Sequence, residues 1–217
     1  MKKFILAIDQ GTSSTKTLVF DAEGKAVAKG NEPLHTNYLD DGFVEQDPEE
    51  IFQNVLQSVR KCLSAFTEKG YSEKDIAGIG ISNQRETFVI WDENGKPYYP
   101  AIVWQCKRSV AVCDQLKGLS EKIKERTGLV IDPYFSATKL IWLFQNNDKI
   151  RIAIQEGTVK FGTVDTWLLY RLTKGKVYAT DHTNASRTLF FNLHTLNWDL
   201  ELISDYGLKG LQLPEIR

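Results

Sequence analysis

A carboxylate, a glycine, hydroxyl side chains and a cation follow one another in Asp9-Gln10-Gly11-Thr12-Ser13-Ser14-Thr15-Lys16. The glycine lets backbone approach an anion, Thr12, Ser13, Ser14 and Lys16 supply donors, and Asp9 can serve a divalent cation, so the run has the composition of a phosphate and magnesium site. The same residues also suit a polar hairpin turn that binds nothing. Further along, Arg85-Glu86 sets a guanidinium beside a carboxylate, donors next to acceptors, as bracketing the vicinal hydroxyls of a small polyol requires. Read instead as a surface ion pair, the two would contribute only about 0–1 kcal/mol. Trp104 and Tyr134 offer apolar faces, the second with a hydroxyl, and each is equally at home in plain core. Asp165, in Thr163-Val164-Asp165-Thr166, fits a catalytic base or a helix N-cap segment, and the N-cap reading is preferred.

Periodicity supplies the elements that must hold these groups. An apolar strand over residues 4 to 8 delivers Asp9, a polar turn covers 10 to 15, a second strand covers 16 to 21, and Glu23-Gly24-Lys25 turns the chain into a third over about 26 to 33. Asp47-Pro48-Glu49-Glu50 opens a long helix, with Ile51, Val55, Val59, Cys62, Leu63 and Phe66 on its core face and Gly70 as its stop. The run Ile76-Ala77-Gly78-Ile79-Gly80-Ile81 is expected to be a strand buried on both faces. A strand from Glu86 to Asp92 and an Asn94-Gly95 turn follow. Helices are expected near 108–117, 120–126, 136–146, 164–172 and 199–206, and strands near 159–163, 177–180 and 187–191. A three-stranded meander, a helix and then a buried strand open a ribonuclease-H-like layer structure, a mixed sheet covered by helices on both faces. That setting favours a nucleotide for the Asp9–Lys16 turn. Gly78-x-Gly80 fails as a dinucleotide fingerprint because its third glycine position is Asn83.

Composition narrows the classes. At 217 residues, 42% of them hydrophobic, the chain allows one large domain or two small ones with a real core. Lysine and arginine number 27 against 28 acidic residues, with no long run of one sign, which argues against a nucleic-acid binder. His35, His182 and His194 are scattered, and Cys62, Cys106 and Cys113 form no metal-ligand spacing and read as reduced thiols. Met1-Lys2-Lys3 before Phe4-Ile5-Leu6-Ala7-Ile8 imitates a leader, but Asp9 ends the apolar run too early, and no segment has the length of a membrane span. A cytoplasmic protein is expected, in which Asn184-Ala185-Ser186 is a sequon without consequence.

The Asp9–Lys16 turn resembles the phosphate loop of the FGGY carbohydrate kinases, within the larger actin, sugar kinase and Hsp70 superfamily. Asn83-Gln84-Arg85-Glu86-Thr87, Ala101-Ile102-Val103-Trp104-Gln105-Cys106, Gly128-Leu129-Val130-Ile131-Asp132-Pro133-Tyr134-Phe135-Ser136, Phe161-Gly162-Thr163-Val164-Asp165-Thr166-Trp167 and Thr180-Asp181-His182-Thr183-Asn184-Ala185-Ser186-Arg187 are similar, in order, to the glycerol kinases of that family. The likeness covers essentially the whole chain. It implies an α/β fold, a ribonuclease-H-like (actin/hexokinase-type) mixed sheet flanked by helices, the first of two such domains. Residues 1–217 would then be the N-terminal, substrate-binding domain, incomplete at its C-terminus, with the second domain absent.

The resemblance also implies an activity: ATP with magnesium phosphorylates glycerol to sn-glycerol 3-phosphate in glycerol catabolism. Arg85, Glu86 and Tyr134 would bind glycerol hydroxyls and Trp104 would line the same pocket. Thr12, Ser13, Ser14 and Lys16 would hold phosphate, and Asp9 would hold magnesium through water. The family's catalytic base and adenosine contacts lie beyond Arg217, so no catalytic base is expected in this chain and the isolated chain is expected to be inactive. Partners implied are glycerol, ATP/ADP, the C-terminal domain and further copies of the full-length enzyme. Lys16 stands where glycerol kinases usually have arginine, a point charge in place of a bidentate fork. Xylulokinases carry a Gln-Met-His-Gly type sequence where this chain has Gln84-Arg85-Glu86-Thr87, which disfavours a pentulose. Another short polyol or sugar, or a polyol- or phosphate-binding module without turnover, remain the alternatives.

Overall fold

The computed structural model describes residues 3–217. Met1 and Lys2, which head the leader-like run, lie outside the described residues. Along the chain the elements are β1 (Phe4–Gln10), β2 (Ser14–Phe20), β3 (Ala26–Pro33), β4 (Asn37–Tyr38), β5 (Val44–Gln46), α1 (Pro48–Glu68), β6 (Ile76–Asn83), β7 (Phe88–Trp91), β8 (Ala101–Ile102), α2 (Val110–Gln115), α3 (Ser120–Thr127), α4 (Ser136–Asn146), α5 (Asp148–Gln155), β9 (Lys160–Thr163), α6 (Val164–Leu172), β10 (Ala179–Thr180), α7 (His182–Ala185), β11 (Phe191–Asn192), β12 (Asn197–Trp198), α8 (Leu200–Asp205) and β13 (Glu215–Ile216). They fall into two compact units: the chain up to Thr36 with Gln46–Gln84, and Asn37–Glu45 with Arg85–Arg217. No described helix is long and apolar enough to cross a membrane.

In the first unit a four-stranded sheet has the order β3-β2-β1-β6, with β1 to β3 antiparallel and β6 parallel to β1. Strand β1 alternates, so Phe4, Leu6, Ile8 and Gln10 are buried while Ile5 and Asp9 are exposed. Helix α1 covers the buried face, mainly over β2 and β3. Its start is fixed by the Asp47 side chain, which accepts the Glu49 N–H, and by Pro48 at the first turn. A Cβ built on Gly30 of β3 would lie 2.1 Å from the Ser58 carbonyl oxygen, so the missing side chain is what lets the helix backbone touch the strand. This close approach rotates Phe52 and Ser58 fully inward with Ile51, Val55, Cys62 and Phe66, and leaves Val59 and Leu63 only half-buried. The expectation for residues 76–81 is corrected here. Strand β6 is an edge, with Ala77 and Gly80 exposed and Ile79 at 64% exposure, because α1 lies away from it over β2 and β3.

The strand buried on both faces is instead β7, in the second unit, whose sheet has the order β4-β5-β8-β7-β9. Phe88 and Ile90 join a core with Ile102, Leu140, Ile154 and Phe161, while Trp91 packs against Trp167 of α6 with ring centroids 5.2 Å apart. Helices α2, α3, α4, α6 and α8 fall where periodicity places them. Helix α5 is an addition: Asn147 ends α4 and its side chain also accepts the Ile150 N–H, starting the next helix at once. The strand expected over 187–191 is also corrected. The polar run 182–185 takes the short helix α7, a turn carries Ser186 and Arg187, and only Phe191–Asn192 pairs as a strand.

Candidate functional site

The first unit builds the Asp9–Lys16 turn more tightly than its polarity suggests. Strand β1 continues to Gln10 and β2 begins at Ser14, with the Gly11 N–H donating to the Ser14 carbonyl at 3.0 Å. Asp9 and Lys16 are register partners across the hairpin and point to the sheet face opposite α1. Neither side chain has a hydrogen-bond or ion-pair partner among the described residues. Ser13 is exposed and Thr12 and Ser14 are half-buried, whereas Thr15 turns inward and is fully buried.

Behind the turn lie three buried glutamines that the sequence did not single out. Gln46 Nε2 donates to the Thr12 carbonyl and to Thr36 Oγ1, both at 2.7 Å. Gln84 Nε2 donates to Gln46 Oε1 at 2.8 Å and to Gln10 Oε1 at 3.2 Å. This chain of amides meets the turn at the Thr12 carbonyl through Gln46 and at the Gly11 carbonyl through Gln10 Nε2, which holds its backbone from beneath. The one available signal was Gln46 following Val44 in a short buried strand. As for magnesium, no group of three or more His, Cys, Asp or Glu among the described residues is arranged to hold a metal ion. Asp9 offers one unpartnered carboxylate, which suits a hard dication that takes its other ligands from water and phosphate oxygens.

In the second unit Glu86 is 3% exposed just ahead of β7. Its carboxylate accepts the Arg187 Nε–H at 2.7 Å and its carbonyl accepts the Ser136 hydroxyl at 2.9 Å. The Arg187 guanidinium lies 5.8 Å from the Tyr134 ring centroid and 5.0 Å from that of Phe135. Tyr134 meets Trp104 edge to face at 5.4 Å, and the Trp104 N–H donates to Thr87 Oγ1 at 3.1 Å. Trp104 and Tyr134 also border an open cavity of about 560 Å³, with Gln105, Lys107, Asp132 and Pro133. Glu86, Trp104 and Tyr134 are therefore gathered in one place, Glu86 joined to Tyr134 through Arg187 and Tyr134 to Trp104 by ring contact. Arg85 is exposed and has no partner among the described residues. The surface ion pair of Arg85 with Glu86 is thus not formed, because Glu86 turns inward to Arg187. Arg187 is the residue whose role the sequence left unassigned; a lone cation amid Asn184-Ala185-Ser186 and Thr188 was its only signal.

Asp165 behaves as part of a helix start. It accepts from the Thr163 and Thr180 hydroxyls at 2.5 and 2.7 Å; burial pushes its carboxyl pKa up against the pull of those bonds, and the balance is upward. Asn184 of the sequon is buried, with its amide turned onto Asp181. Cys62 and Cys106 are buried and all three cysteines are free thiols.

A mixed sheet beginning with a hairpin of this kind, followed by a polar cluster on a second unit, defines a sugar-kinase type of fold. The chain belongs to the FGGY family of carbohydrate kinases: the family's N-terminal domain matches residues 4–217. Among curated relatives, glycerol kinase 2 of Thermotoga maritima is 48% identical over 99% of this chain and 43% of its own length. Glycerol kinase of Halothermothrix orenii is likewise 48% identical, over 100% of this chain and 43% of its own. The crystal structure of Plasmodium falciparum glycerol kinase with ADP superposes with a TM-score of 0.90 at 38% identity, covering 99% of this chain and 43% of that one. The chain thus spans less than half the length of the relatives it matches.

Proposed function

We propose that this chain is the N-terminal part of an ATP-dependent glycerol kinase, which transfers the γ-phosphoryl group of ATP to a terminal hydroxyl of glycerol and yields sn-glycerol 3-phosphate and ADP. The observation that carries this reading is the buried Glu86 carboxylate held by Arg187 beside the Trp104–Tyr134 pair. A fixed acceptor next to two amphipathic aromatic rings suits a molecule with a hydroxyl on every carbon and C–H groups between them. Glycerol kinases at 48% identity over the whole chain point the same way.

Phosphoryl transfer depends mainly on positioning and charge neutralisation, so the roles divide simply. Glu86 accepts from glycerol hydroxyls, Arg85 donates from its free guanidinium, the Tyr134 hydroxyl completes the set and Trp104 covers the carbon chain. Thr12, Ser13 and Ser14 cradle phosphate, and Lys16 adds a positive charge. Magnesium, when bound, neutralises phosphate oxygens, and Asp9 would hold it through water. The base that takes the hydroxyl proton and the adenosine contacts are assigned to the part of the relatives that this chain does not match. The working protein would include that second domain and assemble with copies of itself in the cytoplasm.

Saturation-transfer NMR with glycerol, erythritol and xylulose tests the site on the 217-residue chain. Weak binding of glycerol is expected, with loss on Glu86→Ala, and preference for xylulose would overturn the substrate assignment. A coupled assay at saturating Mg-ATP and glycerol should read no turnover above the no-enzyme control. Robust product formation would require a base within these residues, with Asp165 the first to mutate.

A further inference from the structure

Lys139 stands in the first turn of α4 with no exposed surface. Its Nζ donates to three consecutive carbonyls, Pro133 at 2.7 Å, Tyr134 at 2.7 Å and Phe135 at 3.0 Å. An ammonium has three N–H donors and no acceptor, so these carbonyls satisfy it completely. The arrangement runs against two ordinary preferences. A cation is disfavoured near a helix N-terminus, and a buried ammonium is costly without a carboxylate partner, yet all three of its hydrogen-bond partners are carbonyls. Burial pushes its pKa down to about 7, opposed by Cys106, Glu86, Asp132 and Cys113 around it. A methionine there would fill similar volume without that penalty, so packing alone does not account for a lysine.

What the lysine holds is the turn that carries Tyr134. Helical side chains lean toward the N-terminus, and here the chain folds back over the start of α4 to meet the ammonium. The Tyr134 N–H donates to Asp132 Oδ1 at 2.7 Å, and the Phe135 N–H donates to the Asp132 carbonyl at 3.2 Å. Just ahead of Lys139 the same helix start is tied to the rest of the cluster. Ser136 Oγ donates to the Glu86 carbonyl, and the Ala137 N–H donates to the Thr188 carbonyl, next to Arg187.

We propose that Lys139 is a positioning residue for polyol binding: its three hydrogen bonds clamp the turn from Pro133 to Phe135 and so set the Tyr134 ring against Trp104 and against Arg187, the cation that holds Glu86. This rests on the glycerol reading of that cluster. Lys139 acts through the turn rather than on the ligand. Arginine is a poor replacement, because its planar fork spreads its N–H groups and cannot aim three of them at carbonyls converging on one point.

The test has two arms on the 217-residue chain. In the unaltered protein, NMR of ¹⁵N-lysine should give trans-hydrogen-bond couplings from Lys139 Nζ to the carbonyl carbons of Pro133, Tyr134 and Phe135, and their absence overturns the clamp. This arm needs neither a variant nor a ligand, so it stands even if the chain binds no glycerol, an outcome that would instead sink the glycerol reading. In Lys139→Met and Lys139→Arg, amide exchange at residues 134–136 should quicken about tenfold or more while α5 and α8 keep their protection, and the glycerol Kd should rise about tenfold. Exchange that quickens evenly across the unit marks a purely structural lysine and overturns the proposal, as does an unchanged glycerol Kd with a loosened turn.

Discussion

Replacing Arg187 by methionine removes the cation from Glu86 while keeping an apolar side chain over the Phe135 ring. The Nε–Oε1 distance is 2.7 Å, and the two side chains are 26% and 4% exposed. Breaking a fully buried ion pair from one side costs about 3–5 kcal/mol, but water reaches a quarter of Arg187 and part of that cost is recovered. A charge-assisted hydrogen bond contributes about 1.5–3 kcal/mol, so a loss of about 2 kcal/mol is expected for Arg187→Met. Trp91, Trp104, Trp142, Trp167 and Trp198 all belong to the unit that holds this pair, so tryptophan emission during urea unfolding reports on that unit by itself. A cycle of Arg187→Met, Glu86→Gln and the double variant should give a coupling of about 1–2 kcal/mol. If the double variant loses the sum of the single losses to within about 0.5 kcal/mol, the two groups do not depend on each other and Glu86 is not held by Arg187.

Gly30→Ala places a Cβ 2.1 Å from the Ser58 carbonyl oxygen and 2.7 Å from the Cys62 nitrogen, both helix backbone, so α1 must lift. A loss of about 1–3 kcal/mol is expected, with faster labelling of the buried Cys62 thiol as the direct readout. Gln46→Ala strips the Thr12 carbonyl and the Gln84 amide of buried partners, costing about 1–3 kcal/mol; amide exchange should quicken at residues 11–14 before it does in α1. For Asp199, burial pushes the carboxyl pKa up, but the Leu202 N–H, Asn192 and Arg126 more than reverse this and hold it below the usual range. Its contribution is therefore complete above the unfolded pKa of about 4 and is lost as pH falls through the folded value. Asp199→Ala should cost about 1–2 kcal/mol at pH 7, and urea midpoints of the two proteins should converge as pH falls through the lowered folded value of Asp199.

Local chemistry made some elements easy to read and hid others. The start of α1 was legible because Asp47, Pro48, Glu49 and Glu50 each favour the same position for a separate reason. Helix α5 was not, since Asn146-Asn147-Asp148 looks like a loop when one asparagine both ends a helix and caps the next. Strand β6 was misjudged because burial depends on what lies over a strand, and an apolar run carries no record of where the covering helix sits. In the site, the chemistry of Glu86, Trp104 and Tyr134 was visible from residue type. Their supports were not: Gln46, Lys139 and Arg187 act at separations of 34, 4 to 6 and 101 residues, and polar partners inside a fold leave no periodic trace.

The edge position of β6 has a colloidal cost. The opposite edge of the same sheet, β3, carries Lys29, Asn31, Glu32 and Pro33, a charged and interrupted border that discourages pairing with another molecule. From Ile76 to Asn83, β6 has neither a charge nor a proline, and its unpaired backbone groups lie beside exposed Ile79. Such a border is a template for strand addition, so preparations of this chain should grow turbid with concentration, and a lysine at Ile79 should hold them clear.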